Sequence, residues 1–173
     1  SMIITDYMKK LLLQTRPYER NKGETDRIYH ECLDRLVQTI EQQGNLGDCA
    51  EYIAGRFASI ALDRSSPKPL IGIVGEIYVR SNQFSNNFIV RKIEALGGEV
   101  VMPPMQEWVA YTDWERRKDL MRNAGIVDCL KESATRRIQQ HDVTRIRKSF
   151  SGGINHFFRE LPPDAVMRLS APY

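Results

Sequence analysis

The chain lacks any long apolar run. None of its 173 residues lie in an uninterrupted apolar stretch close to the roughly 20 residues that a membrane-spanning helix needs. The sequence also does not open with the charged, apolar and small-residue regions of a secretory signal peptide. We therefore expect neither a membrane partner nor export.

Cysteine is scarce. The three cysteines, Cys32, Cys49 and Cys129, are odd in number and irregularly spaced, which argues against a disulfide framework and favours the reducing cytoplasm. Three thiolates could hold an iron–sulfur cluster with one open position. However, the chain has no Cys-x-x-Cys pair, and each cysteine lies on or beside an apolar helical stripe. Free cysteines so placed are small buried hydrophobes, so we predict no metal site.

The common motifs of nucleotide and nucleophile chemistry are also missing. There is no Gly-Lys-Ser/Thr phosphate loop, no three-glycine dinucleotide pattern and no Gly-x-Ser-x-Gly elbow. His30, His141 and His156 are too scattered to be metal ligands. A net charge of +3 is small, and the basic residues lie beside acidic ones, as on solvated helix faces. We predict no cofactor and no nucleic-acid partner for this chain.

The first part of the chain, residues 1–68, reads as a helical segment. Residues 3–13 are apolar and precede Pro17 and Gly23, which oppose helix continuation. Asp48 and Glu51 have the spacing of a capping pair at the start of a later helix. Two predicted buried stripes follow helical spacing, the first ended by Gly44: Ile28, Cys32, Leu33, Leu36, Val37 and Ile40, then Ile53, Phe57 and Ile60.

Residues 69–110 have the pattern of a βαβ unit. An apolar, β-branched run between Pro69 and Gly75 predicts a fully buried strand. A helix with Phe88, Ile89, Ile93 and Leu96 ends at Gly97-Gly98, and residues 99–102 form a second strand. We therefore predict a helix-rich α/β fold with a Rossmann-like unit and a small parallel sheet. Residues 111–173 are predicted to be a C-terminal helical segment.

Two strands are too few for a stable sheet in water. Either residues 165–169 supply a third strand, or parts outside this chain complete the sheet. We favour the second interpretation, because Ser1-Met2 has the look of a cloning remnant before an internal segment. The chain is then an incomplete piece of a larger domain, and a homodimer through the open sheet edge is a further expectation.

The loop after the first strand is the main candidate site. In open α/β sheets, ligands bind beyond the carboxyl ends of strands, and a helix start near Asn87 would attract an anion. The candidate binding residues are Glu76, Arg80, Ser81, Asn82, Ser85 and Asn86. The alternative is that they only cap helices, form turns and make one Glu–Arg pair.

A second candidate loop covers residues 16–26. It concentrates polar side chains, with Arg16, Tyr18 and Glu19 as possible functional residues, since loops often carry function. The alternative is a plain connection between helices with an N-cap at or near Thr25.

Several motifs, in order, resemble one family. They are Arg16-Pro-Tyr-Glu19, Lys22-Gly-Glu-Thr-Asp26, Gly72-Ile-Val-Gly-Glu-Ile-Tyr-Val-Arg-Ser-Asn82, Phe84-Ser-Asn86, Leu96-Gly-Gly-Glu-Val100 and Glu107-Trp108. The chain, from about Tyr7 to Tyr173, is similar to the CoA-substrate-specific enzyme activase-related proteins of anaerobic bacteria. The similarity lies in their 2-hydroxyacyl-CoA dehydratase-like segment.

The resemblance implies a longer parent protein with an ATP- and magnesium-dependent iron–sulfur activase module. In such a system ATP hydrolysis drives an electron onto a clustered dehydratase that removes water from a 2-hydroxyacyl-CoA. This chain lacks the nucleotide and cluster motifs and would not be an enzyme by itself. Glu76, Arg80, Ser81 and Asn82 match the family motif as a candidate site.

The resemblance leaves two functions open. One is a dehydratase-like domain that helps to form an acyl-CoA or cluster-proximal site. The other is a scaffold that links the activase and dehydratase parts. The first predicts Glu76, Arg80 and Ser85 exposed in one pocket, and the second predicts that they are buried in hydrogen bonds or an interface.

Overall fold

The computed structural model describes residues 2–123, 144, 146 and 148–150. Three helices come first: α1 (Met2–Thr15), α2 (Glu24–Glu41) and α3 (Leu46–Ala58), with a 3₁₀ turn (Arg16–Tyr18) after α1. The order then continues as β1 (Leu70–Gly72), α4 (Ile77–Ser81), α5 (Ile89–Ala95), β2 (Glu99–Val101) and α6 (Met105–Asn123). None of the described helices is both long enough and apolar enough to cross a membrane.

The main core lies between α1, α2 and α3. Its buried members include Tyr7, Leu11, Ile28, Ile53 and Phe57, and Ile146 and Phe150 pack into the same cluster. The rings of Tyr7 and Phe150 stack with centroids 4.9 Å apart. The predicted helices and most of their buried stripes are therefore confirmed.

The predicted burial of two cysteines is also confirmed. Cys32 and Cys49 lie in this core as free thiols. Burial raises the pKa of the Cys32 thiol to about 12, so the thiol stays protonated and behaves as a small hydrophobe. Cys129 lies outside the described residues.

Two local predictions in this region are wrong. Val37 and Ile40 are exposed, because α2 is covered by its neighbours along only one stripe. The N-cap of α3 is Asn45, whose Oδ1 accepts from the Gly47 amide at 2.9 Å, so Asp48 and Glu51 lie inside the helix. The N-cap of α2 is Gly23, with a left-handed φ of 88°, which agrees with the expected N-cap at or near Thr25.

The two strands pair in parallel, as predicted for an α/β fold. Leu70 pairs with Glu99, Ile71 with Val100 and Gly72 with Val101. Helix α1 packs against β2, where Val100 is buried with Leu13, Val90 and Met102.

The prediction that β1 is fully buried is wrong. All three residues of β1 are exposed, and Leu70 keeps 66% of its surface. The described helices cover β2 and leave β1 at the margin of the fold. An apolar composition alone cannot distinguish a covered strand from one that still lacks a neighbour.

The connection from α5 to β2 needs glycine at two successive positions. Gly97 has a φ of 90°, which favours glycine, and it ends the helix. A Cβ on Gly98 would lie 2.7 Å from Ile93 and 2.9 Å from Ile71. The helix can therefore turn directly into β2 and pack closely against β1.

Helix α6 begins at Met105, under a cap supplied by α1. The Asp6 carboxylate accepts from the amides of Met105 at 3.1 Å and Gln106 at 2.8 Å. The predicted C-terminal helical segment, residues 111–173, is described only as far as Asn123 and at the few later positions. The proposed third strand at residues 165–169 lies outside the described residues.

Neighbouring positions on α2 test the observed core boundary. We expect Leu36→Ala to lower the free energy of unfolding by about 2–5 kcal/mol, because Leu36 is 1% exposed and its removal leaves a cavity. Val37→Ala should change the free energy of unfolding by no more than about 0.5 kcal/mol, as is usual for a surface substitution, because Val37 is 47% exposed. Chemical denaturation of both variants measures the difference, and equal losses would contradict the assigned core.

Candidate functional site

The loop after β1 is organised by its own side chains. Glu76 caps α4 by accepting from the Val79 amide at 2.8 Å. Backbone hydrogen bonds from Val79 and Tyr78 lower the pKa of the Glu76 carboxyl. Asn82 accepts from the Ser85 amide at 3.0 Å and donates to the Tyr78 hydroxyl at 3.1 Å. Glu76 and Asn82 therefore make the capping and turn contacts that the alternative interpretation of this loop predicts.

Asn86 joins the end of α4 to the start of α5. Its amide nitrogen donates to the carbonyls of Val79 and Arg80 at 3.2 and 3.0 Å, and its oxygen accepts from the Ile89 amide at 3.3 Å. Helix α5 begins at Ile89 with Phe88 as its N-cap, close to the predicted start near Asn87, and Asn87 and Phe88 both have a φ of 54°.

The three candidate residues of the second loop, Arg16, Tyr18 and Glu19, are buried. Arg16 is 6% exposed and makes a two-pronged ion pair with Glu94 on α5, with both nitrogen–oxygen distances at 2.8 Å. Its third nitrogen donates to Asp26 on α2 at 2.9 Å. Asp26 in turn accepts from Arg91 at 2.8 Å. One guanidinium therefore links the N-terminal helices to the βαβ unit.

Tyr18 and Glu19 strengthen the same connection. The Tyr18 hydroxyl donates to the buried Glu99 carboxylate on β2 at 2.7 Å and accepts from the Lys68 amide at 3.2 Å. Burial, followed by the hydrogen bond to Glu99, raises the pKa of Tyr18. The Glu19 carboxylate accepts from the amides of Gly23 and Thr25, both at 2.8 Å, and so caps α2 from outside the helix. These contacts favour the connecting role of this loop over a ligand-binding role.

A small cleft lies between α1 and the loop after β1. Its enclosed space is about 10 Å³, room for about one water molecule, and the surrounding 300 Å³ includes open solvent. The lining carries four cationic side chains, Lys9, Arg16, Arg80 and Arg91, with Ser81, Gln83, Asn86, Phe88 and Val90. We call this site the cationic cleft.

The cations of the cationic cleft differ in how they are paired. Arg16 and Arg91 are held by Glu94 and Asp26. Among the described residues, Lys9 and Arg80 have no ion-pair partner, and the buried Nε of Arg80 has no hydrogen-bond partner. Burial, then repulsion from Arg16 and Arg91, lowers the pKa of Lys9, whereas Glu94 raises it. The cationic cleft therefore has positive charge available for an anion.

The structure brings together only part of the main predicted set. Arg80, Ser81 and Asn86 line the cationic cleft. Glu76 and Ser85 are exposed but do not line it, and the structure shows no ion pair between Glu76 and Arg80. Of Glu76, Arg80 and Ser85, which were expected in one pocket, only Arg80 lines the cationic cleft, and Glu76 is held by the hydrogen bond that caps α4.

Sequence reasoning missed Lys9, Gln83 and Arg91. Lys9 belongs to an otherwise ordinary helical stretch, and Arg91 looks like any charged residue on a helix face. No local pattern marks them, because they reach the cleft only through packing of α1 against the βαβ unit.

Comparison of the chain with known protein families, curated proteins and solved structures gives no match. In the described part of the chain, no group of three or more histidine, cysteine, aspartate or glutamate side chains is arranged to hold a metal ion.

The Arg16 connection makes a testable contribution to stability. Arg16→Ala should lower the free energy of unfolding by about 3–5 kcal/mol, because it leaves the nearly buried Glu94 carboxylate without its partner. Arg27→Ala is the matched control, since the Arg27–Glu31 pair is exposed at 3.4 Å and should contribute below about 1 kcal/mol. Denaturation curves compare the two. A double-mutant cycle with Glu94→Gln should show strong coupling, and additive losses would contradict it.

Asp26 should give the protein part of its acid sensitivity. Burial opposes ionisation of Asp26, but the hydrogen bonds from Arg91 and Arg16 outweigh it and lower the pKa. Its stabilising effect is therefore full above the unfolded pKa of about 4 and is lost as the pH falls through the lower folded value. We expect wild type to lose stability more steeply than Asp26→Asn between about pH 5 and pH 3. Thermal unfolding across this range measures it, and parallel curves would exclude this contribution.

Proposed function

We propose that this chain is a dehydratase-like ligand-binding domain of a longer acyl-CoA dehydratase activase-related protein. Its role is to help form an acyl-CoA site, with the ATP-dependent and iron–sulfur chemistry located elsewhere in the parent. The observation that carries the proposal is the cationic cleft, which is lined both by Arg80 of α4 and by Lys9 of α1.

The chemistry of the cationic cleft suits an acyl-CoA. Such a ligand carries several phosphate charges on one flexible molecule, and lysine and arginine are the usual partners of phosphate. Phe88 and Val90 form an apolar wall, and apolar surroundings strengthen the attraction between charges. The enclosed space holds about one water molecule, so a phosphate group of the ligand would bind at the open mouth of the cleft, with the rest of the ligand outside.

The proposal also gives the candidate residues distinct tasks. Arg80 contacts the ligand and Ser81 offers a hydroxyl beside it, while Asn86 fixes the carbonyl of Arg80. Glu76 and Asn82 hold the loop in shape. The chain supplies binding and positioning, and no nucleophile or acid–base pair is assigned to it.

The scaffold is the second candidate, and the margin of the sheet favours it. Leu70, Val74 and Leu96 are large apolar side chains that keep 66%, 83% and 89% of their surface. Exposed apolar side chains beside an unpaired strand edge are typical of surfaces that other parts of a protein cover. In this proposal the remaining domains of the parent, or a second copy, extend the sheet at β1.

Acyl-CoA binding discriminates between the two proposals. We expect saturable binding of acetyl-CoA by calorimetry, weakened roughly tenfold or more by Arg80→Gln, because a charge-assisted hydrogen bond is lost. The melting temperature of Arg80→Gln should stay within about 1–2 °C of wild type, because no described partner is left unpaired.

Arg20→Gln is the matched control for this experiment. Arg20 is an exposed arginine that does not line the cationic cleft, so its removal lowers the net charge equally and should leave binding unchanged. Absence of acetyl-CoA binding, together with a destabilised Arg80→Gln, would contradict the ligand-binding proposal and favour the scaffold.

A further inference from the structure

The geometry points to a phosphomonoester site in the cationic cleft, in which Lys9 and Arg80 together bind one phosphate dianion. The inference rests on the proposed function in placing the ligand here, and it goes further by naming the group that enters. The phosphomonoester group alone is proposed to bind, without contributions from a carboxylate, thioester or diphosphate of the ligand.

Arg80 gives the first argument. Its Nε is buried and, in the part of the chain that the structure describes, without a hydrogen-bond partner. A buried donor left unpaired is costly, so a site of this kind is completed by an acceptor from outside. The planar guanidinium presents donors in a fork that matches two phosphate oxygens.

Lys9 gives the second argument, because it lines the same cleft from α1. It is half-buried on α1 and faces Arg16 and Arg91 as well as Glu94. Glu94 is already held by both prongs of the Arg16 guanidinium. Lys9 therefore has no ion pair of its own, and a bound anion would stabilise its charged form.

Charge balance selects the group. Asp26 and Glu94 pair with Arg91 and Arg16, whereas Lys9 and Arg80 make no ion pair among the described residues and are attracted by Glu94 and Glu76 only from beyond ion-pair distance. A phosphomonoester carries nearly two negative charges on one group near pH 7, so it can pair with both cations at once. A carboxylate or a phosphodiester carries one charge and can neutralise only one of them.

The test uses methyl phosphate as the probe and dimethyl phosphate as the matched monoanion. Thermal unfolding and calorimetry are run at pH 7.5, with ionic strength held constant by sodium chloride. Methyl phosphate should bind saturably and raise the melting temperature of the full chain, because a ligand that binds only the folded state stabilises it. Dimethyl phosphate should have no saturable effect. Equal effects of the two probes, or none from either, would overturn the inference.

Paired variants locate the effect. Lys9→Met keeps the apolar stem and Arg80→Gln keeps a polar side chain, and each should weaken methyl phosphate roughly tenfold to a hundredfold. Lys92→Met and Arg20→Gln remove the same charges from exposed positions that do not line the cationic cleft, and they should bind as wild type. Equal weakening by all four variants would show a general charge effect and overturn the site.

Stability without the probe provides a check that does not depend on binding. Since Lys9 repels Arg16 and Arg91, Lys9→Met should melt at the same temperature as wild type or higher in chloride alone. A clear loss of stability would show that Lys9 has a partner, against the inference.

Failure of this inference differs from failure of the proposed function. Binding of acetyl-CoA without binding of methyl phosphate would overturn the phosphomonoester site and leave acyl-CoA binding in place. Binding of methyl phosphate at Lys9 and Arg80 without binding of acetyl-CoA would support the site and contradict the acyl-CoA proposal.

Discussion

The described structure depends on one guanidinium. Arg16, at the end of α1, is almost fully buried and holds Glu94 on α5 and Asp26 on α2 at the same time. A buried charge is tolerated only when its partners surround it, so these three elements must keep a fixed mutual position. The Tyr18–Glu99 hydrogen bond adds a second buried polar contact to β2. The helices and the small sheet are thereby joined by directional contacts as well as by apolar packing.

The same arrangement creates the cationic cleft. Because Arg16 and Arg91 pair with Glu94 and Asp26, Lys9 and Arg80 line the cleft without an ion pair among the described residues. The contacts that join the helices to the sheet therefore also determine which cations of the cleft are paired. Arg16 serves the connection, and Arg80 lies at the cleft.

The sequence predicts contacts that follow a local period and misses those that do not. Ile28, Cys32 and Leu36 are buried as their helical spacing requires, and the parallel pair of strands follows from the βαβ pattern. Val37 belongs to the same apolar pattern but is exposed, because which stripe is covered depends on neighbours that the spacing does not specify. The sequence marks Arg16 as a candidate residue, but it does not predict its partner Glu94, which lies 78 residues away. Lys9 gave no signal because its surroundings form only in the folded chain.

The exposed sheet and the candidate site are physically connected. Residues 73–76 lead directly from β1 to α4, so any element that pairs with the open edge of β1 also constrains the loop that carries Arg80. A two-stranded sheet is marginal in water, and here one strand has helices packed against it while the other is exposed. Pairing of a further element with β1 would therefore restrict the segment that carries Arg80, while Lys9 is held by α1. The two proposals are compatible, because docking at β1 and anion binding in the cationic cleft would both act on this segment.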